Sequence, residues 1–373
     1  MRQRGASTRA RLSFALTLLA GGHGCGAGQP QLGGERAACR RRQLGRGRHL
    51  PGQPPGCALR RFFRCAWRLR VRLSRPQTAR ELRTPAGREH SLYAACGCSV
   101  LELDLRSPGL LRRFTACAEE VNQVALSLRG DTLAAASDAG EVTLFSLHSG
   151  KALRTLRRGH ANIVAALAFR PNRTAELLSA GLDARVVAWD TSNGRVRRAW
   201  DMNEVMASVE AREHPGIGGN PNRLQVVNPP MAHSVAVGQM DAANAARYAA
   251  VACGDGSVAL LLLDDAPAGK KGPASCWSLG REAGGHTSCA AHVSFPAFSR
   301  GQPLVLSAGN DGRALLWDWG AYVAGNTAQP TVVAQAKHGA KLNWVATATE
   351  PSPARVYLAD VSPTLAVYEL RTG

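Results

Sequence analysis

Two sets of histidine, serine and aspartate residues occur in this sequence at nearly matching spacings. In a hydrolase these residue types form a triad, in which the histidine takes a proton from the serine nucleophile and the carboxylate orients the histidine. Here each set also has a tryptophan in line, and neither serine lies in a Gly-x-Ser-x-Gly turn. The sets are His160, Ser179, Asp183 and Trp189, and His286, Ser307, Asp311 and Trp317. The recurrence favours a buried, hydrogen-bonded tetrad with a structural role, so no catalytic residue is expected.

The two sets belong to two copies of one longer sequence pattern. Ser179 begins the sequence Ser-Ala-Gly-Leu-Asp and Ser307 begins Ser-Ala-Gly-Asn-Asp, and a Gly-His pair precedes each copy. Each copy ends in a Trp-Asp pair, at Asp190 and Asp318, which lie 30 and 32 residues after the histidine. The residues before each pair are largely β-branched, apolar or aromatic, as in a buried strand. This period and signature predict the four-stranded blade of a β-propeller.

Weaker copies of the same pattern fill most of the remaining chain. We expect blades over 119–157, 160–190, 232–262, 286–318 and 338–368, and the inner hairpin of another blade over 91–104. Residues 91–373 are therefore predicted to form an all-β propeller in which five blades and most of a sixth are recognisable. Glycine and proline concentrate in 203–227 and 264–275, which are expected to be long loops.

Composition separates residues 1–90 from the rest of the chain. This leader contains 20 arginines and three glutamates, with no lysine, aspartate, asparagine or isoleucine, so its net charge is 20 − 3 = +17. The whole chain carries +19, which leaves about +2 for residues 91–373. A basic footprint for nucleic acid has to lie on the domain itself, so the predicted propeller offers no electrostatic argument for binding nucleic acid.

Three interpretations of the leader stay open, and all of them predict that it is disordered or outside the fold. Basic residues 1–11 followed by the apolar run 12–20 resemble a targeting segment. The arginines of 60–72, interleaved with aromatic residues, would suit a basic arm that binds RNA or a membrane. The favoured interpretation is a misread frame of a G+C-rich message, because the first predicted blade begins part-way and a sheet ring that lacks blades cannot close its edge.

The sequence predicts neither a cofactor nor a metal site. Its ten cysteines include no Cys-x-x-Cys pair, and the six after residue 90 have no framework spacing, which indicates buried thiols in a reducing compartment. His292 and His338 stand outside the two sets and are expected at strand ends or on the surface. No stretch of about 20 apolar residues occurs, so no membrane span is expected.

Several further stretches carry a resemblance to a known family. They are 119–122, 154–158, 168–171, 179–183, 228–234, 309–312 and 338–344. These stretches, with the Gly-His to Trp-Asp pattern, resemble the WD-repeat family over roughly three quarters of the chain. The family propeller has seven blades, and the resemblance implies that the first one and a half should lie where the leader is.

The resemblance also implies a docking role for one turn. Substrate receptors of this family often contact the adaptor of a cullin-RING ubiquitin ligase through a Trp-Asp-x-Arg box at the end of a blade strand. Leu103-Asp104-Leu105-Arg106 is similar to that box, with leucine in place of tryptophan. The guanidinium of Arg106 would supply a planar, permanently charged fork for partner carboxylates or carbonyls.

The expected function is a non-enzymatic protein-interaction scaffold that acts as a substrate receptor or adaptor of a cullin-RING ubiquitin ligase. The alternative is a scaffold in a ribonucleoprotein-assembly complex, with the leader as an RNA-binding arm. Protein partners are expected, without a membrane, for a monomer that works within a larger complex. The expected location is the cytoplasm or nucleus, or an organelle if the leader is a targeting segment.

Overall fold

Strands account for most of the structure, which is a computed structural model. It describes residues 2–3, 90–106, 109–171, 173, 175–213, 228–238, 247–264, 275–299, 301–348, 354–362 and 364–370. Contacts divide the chain into two units, residues 1–6 with 68–373 and residues 7–67, and every described residue belongs to the first unit. The predicted leader lies outside the described residues except for 2–3 and 90, as do 214–227 and 265–274 of the two predicted loops.

The described strands form six antiparallel sheets, numbered here in chain order. Sheet 1 contains β2 (Ser91–Cys96), β3 (Ser99–Asp104) and β4 (Gly109–Phe114). Sheet 2 contains β5 (Val121–Leu126), β6 (Thr132–Ser137), β7 (Val142–Ser146) and β8 (Ala152–Leu156). Sheet 3 contains β9 (Val164–Phe169), β10 (Glu176–Gly181), β11 (Arg185–Asp190) and β12 (Arg195–Asp201).

The other three sheets follow the same chain order. Sheet 4 contains β13 (Ala232–Val237), β14 (Tyr248–Cys253), β15 (Val258–Leu262) and β16 (Cys276–Leu279). Sheet 5 contains β17 (Ala290–Ser294), β18 (Leu304–Gly309), β19 (Arg313–Asp318) and β20 (Thr331–Lys337). Sheet 6 contains β21 (Trp344–Thr347), β22 (Ala354–Ala359) and β23 (Leu365–Leu370), and β1 (Arg2–Gln3) pairs with β23. These sheets confirm the all-β, propeller-like fold class.

Sheet 1 has three strands because it corresponds to the second, third and fourth strands of the other sheets. The register between the third and fourth strands shifts at the same place in sheets 1, 2, 3 and 5, and in sheet 1 this shift lies between Glu102 and Leu103 of β3. The strand that would precede β2 is absent from the described residues. The predicted hairpin over 91–104 is thus β2 and β3, and the sequence missed β4.

The turn between the second and third strands requires a left-handed residue. Glycine has positive φ there in four sheets, at Gly97, Gly140, Gly256 and Gly312. In sheet 3 the same place is taken by Ala184, whose φ is 57°. A left-handed alanine is strained relative to glycine, so the surrounding contacts of sheet 3 must hold this turn in place.

Five hydrophobic clusters join the sheets in chain order. They lie between sheets 1 and 2, 2 and 3, 3 and 4, 4 and 5, and 5 and 6. Trp189 belongs to the cluster between sheets 2 and 3, and Trp317 to the cluster between sheets 4 and 5. Because neighbouring sheets pack face to face, the apolar residues that alternate along the strands are buried in these interfaces.

The prediction of a loop over 203–227 is wrong for its first part. Residues Met202–Glu213 form helix α1, and Met202, Val205 and Val209 pack into the cluster between sheets 3 and 4. This segment is rich in alanine, glutamate and methionine, which favour helices, whereas the glycines and prolines of the predicted loop come after residue 213. A second, one-turn helix, α2 (Gly320–Val323), follows β19.

Candidate functional site

The first predicted tetrad is assembled in sheet 3. Nδ1 of His160 lies 3.0 Å from the Asp183 carboxylate, and its Nε2 lies 2.7 Å from Oγ of Ser179. The indole N–H of Trp189 donates to the same Oγ across 2.7 Å. Asp183 also accepts the backbone N–H of Ala161 at 2.9 Å. The four side chains therefore link the segment before β9 with strands β10 and β11.

The second predicted tetrad repeats this arrangement in sheet 5. His286 lies 3.0 Å from the Asp311 carboxylate and 2.8 Å from Oγ of Ser307, which accepts the indole N–H of Trp317 at 3.0 Å. Here the carboxylate of Asp311 receives an additional hydrogen bond, from Nε of Arg313 at 3.1 Å. Two tetrads with nearly equal distances indicate one repeated structural device.

The donors and acceptors of a tetrad are all paired when each side chain donates a hydrogen bond to the next one in the order Trp, Ser, His, Asp. The indole N–H donates to the serine, the serine hydroxyl donates to Nε2 of the histidine, and Nδ1–H donates to the aspartate. A buried polar chain is stabilising only when all its members are satisfied in this way. The tetrad thus fixes the turn between the second and third strands to the segment that precedes the first strand.

Burial excludes the hydrolase alternative for these two sets. The relative exposure of Ser179 and of Ser307 is 0%, so a substrate carbonyl has no route to either hydroxyl. Each serine oxygen is also fully engaged by tryptophan and histidine. A nucleophile must be able to reach the carbon that it attacks, and these serines cannot do so.

The carboxylates of the tetrads have lowered pKa values. Burial by itself would raise the pKa of Asp183 and of Asp311, but hydrogen bonds from the histidine and from backbone N–H groups outweigh it. The net pKa of each aspartate therefore lies below its usual value. The carboxylates remain ionised at neutral pH, as acceptors of the histidine N–H must be.

Acid is expected to destabilise the protein through these two aspartates. Their pKa is lower in the folded chain than in the unfolded chain, where it is about 3.9, so the unfolded state binds protons first. Their contribution is present above pH of about 4 and is lost as the pH falls through the folded-state values. Urea titrations at several acidic pH values should show the free energy of unfolding decreasing less steeply for Asp311→Asn than for wild type; equal slopes would contradict this role.

A third histidine cluster lies in sheet 6, where the sequence did not predict one. Nε2 of His338 is 2.8 Å from the Asp360 carboxylate, and Nδ1 is 3.1 Å from the hydroxyl of Tyr368. By strand register Tyr368 takes the place of the tryptophan and Leu358 takes the place of the serine. The phenol reaches the histidine directly, so no bridging serine is needed. His338 directly follows β20, at a strand end as predicted, and its two side-chain partners are what the sequence did not indicate.

The prediction of a strand-end or surface position is wrong for His292, which is buried in the middle of β17 and takes part in a second repeated contact. The first strands of successive sheets lie side by side. In β5, Oε1 of Gln123 accepts the N–H of Leu167 on β9 at 2.6 Å. Nδ1 of His292 on β17 accepts the N–H of Val345 on β21 at 3.4 Å, while the imidazole stacks on Trp344. These side chains supply acceptors where no backbone ladder joins the sheets.

The two residues predicted for adaptor docking lie at the end of β3. Asp104 accepts the backbone N–H of Arg106 at 2.8 Å, and its carboxylate receives Nε and Nη2 of the same arginine at 3.2 and 3.0 Å. Leu105 and Arg106 project outward, with a relative exposure of 50% for Leu105 and 62% for the Arg106 side chain. The Asp104 carboxylate raises the pKa of Arg106 above its usual value, through the hydrogen bonds and its charge.

Two arginines on fourth strands hold neighbouring sheets together. Arg112 of β4 donates to the carbonyl of Leu147 at 2.8 Å, just after β7 in sheet 2. Arg154 of β8 donates to the carbonyl of Asn193 at 2.7 Å, just after β11 in sheet 3. We call Arg112 and Arg154 the clamp arginines. Their guanidinium groups fix each fourth strand against the turn of the next sheet.

Few other groups with the potential for chemistry occur among the described residues. In that part of the chain, no set of three or more His, Cys, Asp and Glu side chains is placed to hold a metal ion, and no helix is long and apolar enough to span a membrane. Its six cysteines are free thiols. Cys253, Cys276 and Cys289 are buried as expected, whereas Cys98 is exposed in the turn between β2 and β3.

Comparisons with known proteins match the two segments that contain the tetrads. The family model described as "WD domain, G-beta repeat" matches residues 150–190 and 277–318, which contain the two tetrads. The chain is 27% identical over 180 residues to the WD repeat-containing protein 53 homolog of Dictyostelium discoideum, a match that covers 46% of this chain and 47% of that relative. The chain therefore matches about half the length of this curated relative. The matched repeats, together with the sheets and the tetrads, make the chain similar to the WD-repeat family.

Proposed function

We propose that this protein-interaction scaffold is a substrate receptor or adaptor of a cullin-RING ubiquitin ligase, without enzymatic activity of its own. The observation that carries the proposal is the turn at Asp104–Arg106, where an arginine is held by a carboxylate and presented to solvent. The scaffold would work as a monomer within the larger ligase complex, in the cytoplasm or nucleus, and the free thiols of the described residues suit a reducing compartment.

The geometry of Arg106 suits recognition by a partner. Two of its five N–H donors are used by Asp104, and the other three have no partner among the described residues. Because Asp104 fixes the guanidinium, less side-chain entropy is lost when a partner accepts the remaining donors. Leu105 adds an exposed apolar side chain beside the charge. Arginine is one of the residue types enriched at binding hot spots.

Equivalent turns in other sheets lack this combination. After β11, Asp190 accepts the backbone N–H of Ser192 at 3.0 Å, and after β19, Asp318 accepts the N–H of Gly320 at 2.9 Å. The carboxylate turn is therefore a general feature of the strand end, and its own role is structural. The arginine two residues later occurs in sheet 1 and not in these two turns, which singles out Arg106 for a partner.

Replacing Arg106 by alanine is expected to weaken adaptor binding about tenfold or more, because a preoriented cation and its hydrogen bonds are lost. Binding of the full chain to each purified cullin adaptor would be measured by surface plasmon resonance. Arg106→Lys should also bind weakly, since a lysine cannot reproduce the planar fork. Adaptor binding by Arg106→Ala at wild-type strength would overturn the docking assignment.

A matched control exists in sheet 3. Nη2 of Arg197 pairs with Asp190 at 2.8 Å, and the Arg197 side chain is 45% exposed. Arg197→Ala removes the same kind of exposed ion pair near the corresponding strand end, and adaptor binding should stay within about twofold of wild type. The RNA-arm alternative depends on residues 1–90, which lie outside the described residues except for 2–3 and 90, and no described contact supports it.

A further inference from the structure

The fourth strands of sheets 1, 2 and 3 share an unusual charge. Within their bounds lie Arg112 and Arg113 on β4, Arg154 on β8, and Arg195, Arg197 and Arg198 on β12. The one acidic residue within the same bounds is Asp201, the last residue of β12. By contrast, β16 has no charged residue and β20 has Lys337 alone. We call the surface of β4, β8 and β12 the basic rim.

The same three strands expose apolar side chains. Seven large hydrophobic side chains are exposed in the described part of the chain, and four of them, Leu110, Leu111, Leu153 and Val196, belong to the basic rim. Leu111 and Leu153 have relative exposures of 56% and 59%. One exposed leucine on a surface needs no explanation, but a concentration of them among arginines indicates a binding surface.

The clamp arginines hold the basic rim in a defined arrangement. Arg112 ties β4 to sheet 2, and Arg154 ties β8 to sheet 3. Beside this second clamp is a cleft of about 280 Å³, lined by Leu153 and Arg154 on one side and by Thr191 and Ser192 on the other. A surface that is already ordered loses little entropy when a partner binds.

Each strand of the basic rim is also the last strand of its sheet. The described strand order ends at β4, at β8 and at β12, so one edge of each has no strand partner among the described residues. Backbone N–H and C=O groups at such an edge can pair with an extended segment of another chain. Arginines beside the edge favour a segment of negative charge, and exposed leucines favour one that carries apolar side chains.

We propose that the basic rim binds an extended, acidic segment of a partner protein, whose apolar side chains contact Leu111 and Leu153. Charge complementarity argues for this occupant, because these strands of three successive sheets carry six arginines and one carboxylate of their own. Two of the arginines, Arg112 and Arg197, also pair with Glu102 and Asp190 on adjacent strands, and the other four leave an excess of positive charge. The inference goes beyond the proposed function, since it uses residues other than Asp104 and Arg106. It holds or fails independently of adaptor docking.

The probe is a fluorescein-labelled peptide of alternating Glu and Leu residues, added to the full chain and followed by fluorescence anisotropy. A peptide of alternating Lys and Leu residues is the charge control. We expect saturable binding of the acidic peptide, weakened several-fold by added salt, and no binding of the basic peptide. Absence of acidic-peptide binding, or equal binding of both peptides, would overturn the proposal.

Variants locate the binding surface. The double variant Leu111→Asp, Leu153→Asp should raise the Kd for the acidic peptide about tenfold or more, and the milder Leu153→Ser should raise it about threefold. The matched control is Val333→Asp on β20, where the side chain is also 50% exposed, and its Kd should stay within about twofold of wild type. Circular dichroism spectra of all variants should match wild type, and Leu153→Ser decides the matter if the double variant does not fold.

Charge reversal provides an independent test of the same surface. Arg195→Glu on β12 should raise the Kd about threefold, while Lys337→Glu on β20 should leave it unchanged. If neither the leucine nor the arginine variants alter peptide binding, the segment binds elsewhere and the proposal is wrong. A single-stranded oligouridine that binds more tightly than the acidic peptide, and displaces it, would instead assign the basic rim to RNA.

Discussion

Trp317→Ala is expected to lower the free energy of unfolding by about 3–5 kcal/mol, the usual cost of truncating a fully buried tryptophan. The side chain has no solvent exposure and belongs to the cluster that joins sheets 4 and 5. Its loss also leaves Oγ of Ser307 without the indole donor. Urea denaturation followed by circular dichroism measures the change, provided that the variant unfolds reversibly.

The control Trp317→Phe separates packing from hydrogen bonding. Phenylalanine keeps most of the apolar contact but has no N–H for Ser307, so a loss of about 1–3 kcal/mol is expected. If the alanine and phenylalanine variants were equally unstable, the hydrogen bond would account for the whole effect and the packing argument would be wrong.

Arg170→Met is expected to cost about 3–5 kcal/mol, because it leaves a buried carboxylate without its cation. Arg170 follows β9 with a side-chain exposure of 3%, and its guanidinium lies 3.1 Å from Glu176 in the same sheet. A second nitrogen lies 2.6 Å from Asp264, which follows β15 in sheet 4. The side chain therefore satisfies Glu176 inside sheet 3 and ties that sheet to the next one.

Arg173→Ala is the matched control, because Arg173 binds the same Asp264 at 3.0 Å but has a side-chain exposure of 51%. An exposed ion pair contributes about 0–1 kcal/mol, so the variant should be close to wild type in a urea titration. If the Arg170 and Arg173 variants lost similar amounts of free energy of unfolding, burial of the Arg170 ion pair would not explain its effect on stability.

The repeat and its tetrads could be predicted from the sequence because their side chains have to be specific types. The chain of donors and acceptors from Trp189 to Asp183 works only with a hydroxyl and an imidazole between them, so the residues recur at fixed offsets. The short β-branched strand at 185–189 and the turn before it are equally constrained. These local requirements leave a pattern that sequence alone reveals.

Other features depend on tertiary contacts that many residue types satisfy. Tyr368 completes the cluster of His338 without the serine, so the pattern that marks sheets 3 and 5 is missing in sheet 6. Helix α1 has a weak apolar periodicity, and burial of Met202, Val205 and Val209 against sheets 3 and 4 decides its position. Strands β4 and β12 were missed because most of their side chains are exposed and arginines interrupt the alternation that identifies buried strands.

The five clusters in chain order have a consequence for how the described sheets cooperate. Sheets 2 to 5 each contribute side chains to two clusters, whereas sheets 1 and 6 each contribute to one. Stability in such an array is approximately a sum of terms for each unit and for each interface. A cavity inside sheet 3 or sheet 5 therefore weakens the interfaces with the sheets on both sides of it. We expect local unfolding that starts there to extend over more sheets. Among the described residues, sheet 1 and sheet 6 each meet the other sheets through one such cluster, so we expect damage there to be transmitted in one direction only.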